Sequence, residues 1–195
     1  MLSSRSFKAV VLGCTLMAPA VLGGCDRQSG ENAQPELSGD ASGGGEALTG
    51  VIDRSHKGSP LPEFTLADPQ GDKLDLRSLK GKPALINLWA TWCAPCVAEL
   101  PTLDKIANRA DMNLQVVTIS QDTGGSEKVR AFLDERGFAQ LPAWLDPEND
   151  LTFHYGTGTL PTTVLYDAEG KEVWRFVGGH DWTSAESAEM LAEAN

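Results

Sequence analysis

The chain has 195 residues, 41% of them hydrophobic, with 16 basic and 27 acidic residues and a formal net charge of −11. That length supports one domain with extensions and a core large enough to need no disulfide staples. Arg5 and Lys8 are the basic residues before position 24 and every acidic residue follows it. The chain from Cys25 therefore carries 14 basic against 27 acidic residues, a net charge of −13, which argues against nucleic acid or an anionic membrane surface as a binding partner.

The N-terminus has a short basic region followed by an apolar stretch from Ala9 to Leu22 broken by Gly13, Thr15 and Pro19. It is too short for a transmembrane span and reads as an export signal. Its end, Leu22-Gly23-Gly24-Cys25, resembles the bacterial lipoprotein signal, in which an aliphatic residue and two small residues precede the cysteine that is lipidated. The resemblance implies removal of residues 1–24, acylation of Cys25 as the new N-terminus, and attachment to a membrane through that lipid. Asp26 matches a residue that in many Gram-negative lipoproteins retains the protein in the inner membrane, which implies the periplasmic face. An ordinary cleaved signal with an incidental Cys25 is the alternative, and it leaves a free thiol in an oxidising space. On the lipoprotein reading Cys14 leaves with the signal, and Cys93 and Cys96 are the only thiols that remain. A lone thiol pair outside the cytoplasm points to redox work.

Residues 25–50 are rich in Gly, Ser, Asp and Glu, include the Gly43-Gly44-Gly45 run, and read as a disordered acidic tether. A flexible coil of that length spans roughly 25–30 Å. The domain is expected over 51–195. Pro60 to Leu66 and Lys73 to Leu76 alternate apolar and polar residues around Asp68-Pro69-Gln70-Gly71 and predict a β-hairpin. Leu79 to Pro83 leads into a buried strand over Ala84 to Trp89, and helical spacing of Val97, Leu100, Leu103, Ile106 and Ala107 predicts a helix from near Ala94 to about Ala110, kinked near Leu100 by Pro101.

Cys93-Ala94-Pro95-Cys96 sits where that strand turns into that helix. A cysteine at a helix N-terminus faces unpaired N–H groups and the positive end of the dipole, both of which favour thiolate. Cys93 is therefore the expected nucleophile. Cys96, one turn further on the same side, is placed to attack a mixed disulfide at Cys93. Pro95 stiffens the first turn at no hydrogen-bond cost. Zinc would need a second ligand pair at suitable spacing, which the sequence lacks, and a structural disulfide closing so short a loop would add little stability.

Further along, Leu114 to Ile119 predicts a second buried strand and Ser126 to Arg136 a helix, with Ser126 as its N-cap and Asp122 a loop residue. A short strand over Ala143 to Leu145, a helical turn from Glu148 to Tyr155, a hairpin of Thr162 to Tyr166 and Glu172 to Val177, and a final helix from about Ser184 to Ala194 complete the pattern. His56, His154 and His180 show no metal spacing, and no metal site is expected.

Four stretches together carry a family resemblance: Pro62 to Leu66, Leu79 to Pro83, Asn87 to Pro101 and Tyr155 to Thr163. From about Gly50 to Asn195 the chain resembles the thioredoxin fold, and most closely the membrane-anchored TlpA, ResA and CcmG thiol-disulfide oxidoreductases. The resemblance implies an α/β, three-layer sandwich with a mixed central sheet, helices on both faces and an N-terminal β-hairpin extension. It implies a cis-proline at Pro161 packed on the cysteine pair and a Leu160 backbone that pairs with an extended partner chain. It matches Glu99 to an acidic residue near the active site. Asn87 stands where cytoplasmic thioredoxins have a buried aspartate, so Glu99 becomes the candidate proton acceptor for Cys96, a solvent-facing first-turn glutamate being the alternative. Trp92 is expected at the surface as a partner-recognition residue and Trp89 in the core.

The implied activity is protein disulfide reduction without a cofactor. The implied partners are apocytochrome c, its maturation factors or copper-site proteins with oxidised cysteines, with electrons drawn from a membrane donor of the DsbD or CcdA type. Three alternatives stay open: a Cu(I) metallochaperone using Cys93 and Cys96, a disulfide-donating oxidant, and a peroxidase. The peroxidase reading lacks the proline- and threonine-bearing loop, since only Thr91 precedes Cys93.

Overall fold

The computed structural model describes residues 49–138 and 140–195; the signal segment, Cys25 and the tether as far as residue 48 lie outside them. In chain order the elements are β1 (Gly50–Asp53), β2 (Thr65–Ala67), β3 (Lys73–Asp75), a 3-10 turn (Leu76–Leu79), β4 (Ala84–Trp89), α1 (Ala94–Ala107), β5 (Gln115–Ser120), α2 (Ser126–Glu135), β6 (Trp144–Leu145), α3 (Asp150–Tyr155), β7 (Thr162–Tyr166), β8 (Glu172–Gly178) and α4 (Ala185–Ala192). The strands form one mixed sheet in the order β1-β8-β7-β4-β5-β6-β2-β3.

β4 is the centre because all six of its residues are buried, as expected of a strand covered on both faces. It runs parallel to β5 and antiparallel to β7. Its alternate side chains feed two cores. Leu85 and Trp89 pack with α1, α2 and α4 through residues such as Leu100, Leu103, Leu133 and Leu191. Ala84, Ile86 and Leu88 pack on the other face with Leu76, Leu79, Leu151 and Tyr155. The result is three layers, with the β4–α1 junction at the C-terminal end of two parallel strands, where open α/β sheets place their sites.

Several elements differ from the sequence reading. β1 is unanticipated; it pairs antiparallel with β8, Gly50 lying opposite Gly178. Gly178 has φ +110°, and a side chain there would run into the Thr49 carbonyl, so the close crossing requires glycine. The hairpin is shorter than predicted, because Pro60 and Pro62 keep the preceding segment out of the ladder apart from one bridge from Pro60 to Lys171. α1 ends at Ala107 and contains Pro101. Ser126 is not an N-cap: Gly125, at φ +91°, takes that position without a side-chain hydrogen bond, and Ser126 is the first helical residue. α4, by contrast, is capped by Ser184, whose Oγ accepts from the Ser187 N–H at 3.1 Å. Ser184→Ala is expected to lower stability by about 1 kcal/mol, read as a lower urea midpoint with unchanged slope.

α3 is tied to the sheet by Arg175, which a buried ion pair within β8 holds in place. The Arg175 guanidinium grips Glu172 through Nε–Oε1 at 2.6 Å and Nη2–Oε2 at 3.0 Å, and its Nη1 donates to the Tyr155 carbonyl at the end of α3. That contact matters because α3 forms one wall of the site.

Candidate active site

Trp89 ends β4, and the chain turns tightly before α1: the Cys93 N–H donates to the Ala90 carbonyl at 3.2 Å. Cys93 then occupies the N-cap of α1, its Sγ 3.4 Å from the Cys96 N–H, while the Val97 N–H donates to the Cys93 carbonyl at 3.0 Å. The sulfur thus sits against the unpaired donors of the first helical turn, the environment that stabilises thiolate. Cys93 and Cys96 are joined in a disulfide with Cα atoms 5.3 Å apart. Cys93 is 6% exposed and Cys96 is 0% exposed, so only the first sulfur can be reached from outside.

A groove of about 450 Å³ opens over Cys93, lined by Trp92, Pro95, Asn149, Thr152, Gly158, Thr159 and Leu160. Trp92 stands at its rim, 69% exposed, an unusual cost for an indole without a partner. Trp89 is fully buried, as its position on the central strand dictates. Leu160 is half-buried and Pro161 buried, and the peptide bond between them is cis. The Pro161 carbonyl accepts from the Gly178 N–H at 2.9 Å, which ties the segment after Leu160 to the end of β8.

Glu99 lies three residues after Cys96 on the same helix face and is 0% exposed, which removes the solvent-facing alternative. Its Oε1 accepts from Asn87 Nδ2 at 2.7 Å. Its Oε2 accepts from the His180 N–H at 3.0 Å and from Trp182 Nε1 at 3.3 Å. Burial pushes the carboxyl up to about 7 against these hydrogen bonds, which favour the ionised form. Asn87 Nδ2 also donates to Thr163 Oγ1 at 2.9 Å, while Asn87 Oδ1 is buried without a partner.

Sequence reasoning missed the lid over Glu99. The loop between β8 and α4 brings His180 and Trp182 onto the carboxylate, and Trp182 stacks on Trp174 with centroids 6.1 Å apart. A tryptophan within Gly178-Gly179-His180-Asp181-Trp182 was the available signal, since a large apolar residue in an otherwise polar loop usually marks a tertiary contact. His180 Nε2 lies 2.7 Å from Ser187 Oγ, and burial lowers the imidazole below its usual range, so its ring serves packing rather than Glu99.

A solvent-reachable helix-capping sulfur bonded to a buried one, at the end of the central strand of a three-layer mixed sheet, defines a thioredoxin-like thiol-disulfide oxidoreductase. The Redoxin family profile matches residues 56–192, and the chain belongs to that family. Thiol-disulfide oxidoreductase ResA of Bacillus thuringiensis strain Al Hakam is 31% identical over 122 residues, which span 62% of this chain and 69% of that one. ResA of Bacillus subtilis strain 168 is 34% identical over 119 residues, 60% of this chain and 65% of that one. Among solved structures, a Chlorobium tepidum protein assigned as thiol:disulfide interchange protein DsbE superposes with TM-score 0.62 at 27% identity, covering 71% of this chain and 98% of that one. The exposed lipoprotein thioredoxin of Streptococcus pneumoniae gives 0.55 at 27% identity, with 68% and 98% covered.

Proposed function

We propose that this chain is a reductase of protein disulfides, lipid-anchored through Cys25 on the periplasmic side of the inner membrane with residues 26–50 as its spacer. Reduced Cys93 attacks a partner disulfide, forming a mixed disulfide and releasing one partner thiolate. Cys96 gives its proton to Glu99 and attacks Cys93 Sγ, which expels the second partner thiolate. Two electrons pass to the partner and the Cys93–Cys96 bond is left behind. Trp92 seats the partner at the groove rim, and the Leu160 backbone pairs with its extended chain beside Pro161.

The observation that carries the direction of electron flow is the charge around the pair. Among the described residues no Lys, Arg or His lines the groove, while the Asp122 carboxyl accepts from the N–H and hydroxyl of Thr91 two residues before Cys93 and the Glu99 carboxyl lies three residues after Cys96. Strong oxidants of this class draw their potential from a stabilised thiolate in the reduced form. Surroundings without a cation and with carboxylates add nothing to what the helix terminus gives the thiolate, and this favours giving electrons away. By its likeness to ResA and DsbE, the chain is assigned disulfide-bearing partners in the maturation of cytochrome c or of copper-site proteins, and a DsbD- or CcdA-type membrane donor to restore the dithiol.

The test is the reduction potential of the Cys93–Cys96 couple in the purified protein, equilibrated against thiol-disulfide buffers. A value at or below about −270 mV is expected; one near about −120 mV makes the protein a disulfide donor and overturns the proposal.

A further inference from the structure

The segment just beyond β5 gives and takes no proton or electron in the exchange steps, yet its hydrogen bonds reach both the α3 wall of the groove and the turn that carries Trp92. Asp122 is 2% exposed and has no cationic partner among the described residues. Its Oδ2 accepts from the Thr91 N–H at 2.8 Å and from Ser120 Oγ at 2.8 Å, and its Oδ1 accepts from Thr91 Oγ1 at 2.7 Å. The Asp122 N–H returns to Ser120 Oγ at 3.0 Å, which locks the carboxylate's own backbone. Next to it, the Gln121 N–H donates to the Trp89 carbonyl at 2.8 Å, and Gln121 Oε1 accepts from Thr152 Oγ1 at 2.9 Å. Thr152, on α3, and Trp92, in the turn before α1, both line the groove.

We infer that Asp122 is a positioning residue that, by gripping both the N–H and the hydroxyl of Thr91, holds Trp92 and Cys93 in the presentation a protein disulfide needs. Asp122 is the loop residue that the sequence reading made it, lying between β5 and α2; its burial and three accepted hydrogen bonds are what that reading did not contain. A buried carboxylate is retained only where its hydrogen bonds offset the loss of solvent, and here they converge on the residue that precedes Trp92 and stands two before Cys93. The turn between β4 and α1 has one internal hydrogen bond of its own, from Cys93 to Ala90. Without the clamp, Trp92 must be ordered at the moment of docking, and that ordering is a cost a preformed site avoids. A small disulfide reaches Cys93 Sγ without touching the rim and is spared this cost.

The inference rests on disulfide exchange at Cys93 and not on its direction, so a potential in the oxidant range leaves it standing. The test compares exchange of the purified protein with insulin, a protein disulfide, and with oxidised glutathione, at one pH so that any change in Cys93 reactivity cancels in the ratio of the two rates. In Asp122→Asn the charge is lost and an amide nitrogen replaces the oxygen that faces Thr91 Oγ1, so that hydroxyl must reverse from donor to acceptor and the charge-assisted grip on Thr91 weakens. The insulin-to-glutathione ratio is expected to fall roughly tenfold. Thr91→Val removes only the hydroxyl bond, and the ratio is expected to fall by about threefold. An unchanged ratio in both variants, with both rates intact or both reduced together, overturns the inference. If Asp122→Asn does not fold, Thr91→Val decides alone: a lowered ratio supports the clamp and an unchanged one removes it.

Discussion

A Cys96→Ser variant accumulates a covalent mixed disulfide between Cys93 and its partner, visible on non-reducing gels, and its turnover falls by more than about 10³-fold. Cys93 lies in the groove and Cys96 is sealed beneath it, so the partner can reach only the first sulfur. Once that bond has formed, the fastest way out is attack by a sulfur held one helical turn away, with its Cα 5.3 Å from that of Cys93. Effective molarities for such held groups reach about 10⁵ M, whereas an external thiol is available at millimolar levels, a ratio of up to about 10⁸, so a loss of more than about 10³-fold is expected even where the geometry realises a small part of that advantage. The mirror variant, Cys93→Ser, forms no mixed disulfide, because the remaining thiol is buried. Trapping at both positions would show that either sulfur can be reached and would overturn the assignment of roles. The trapped species also identifies the physiological partner, since the bond is covalent and survives purification.

The parts legible in the sequence were those set by local pattern. The apolar runs of β4 and β5, the hairpin of β7 and β8, and the helical spacing after Cys96 place the cysteine pair at a strand–helix junction because burial on two faces and on one stripe writes periods of its own. The rest depends on contacts between segments distant in the chain. β1 has only four residues, one of them glycine, and exists because β8 offers it a ladder. Asp122 reads as an ordinary loop residue, and only Thr91, 31 positions away, shows what its carboxylate holds. The burial of Glu99 was undecidable from α1 alone, since the groups that cover it, His180 and Trp182, lie 81 and 83 residues further on. Ser126 misled because a serine before an apolar run is the usual cap signal, and the backbone of Gly125 at positive φ took the place instead.

Glu99→Gln is expected to separate proton transfer from structure. The substitution is tolerated sterically and by hydrogen bonding. The glutamine oxygen can accept from the His180 N–H and Trp182, and its amide can donate to Asn87 Oδ1 once the Asn87 amide turns over, which moves the unpartnered position from Asn87 Oδ1 to Asn87 Nδ2 without adding a charge. Stability then reports the carboxyl. Glu99 is raised from an ordinary value of 4.5 to about 7, so between those limits the folded protein binds a proton that the unfolded chain has lost. Stability therefore falls as pH rises from about 4.5 through 7, by about 3 kcal/mol in all, and the fall is absent from the variant, which becomes the more stable protein above pH 7. Chemistry moves the other way. A thiol of ordinary pKa about 8.5 hands its proton to a group near 7 at a cost of about 2 kcal/mol, against about 5 kcal/mol for an unshifted carboxylate. Removing that acceptor is expected to slow resolution of the mixed disulfide by about 10²-fold and to erase the rise in resolution rate with pH near 7, while the first attack by Cys93 keeps its rate. Stopped-flow measurement of both steps against pH checks this. A variant that loses the stability slope but retains the resolution rate would leave Glu99 as a buried acid with a structural cost and no part in moving the proton of Cys96.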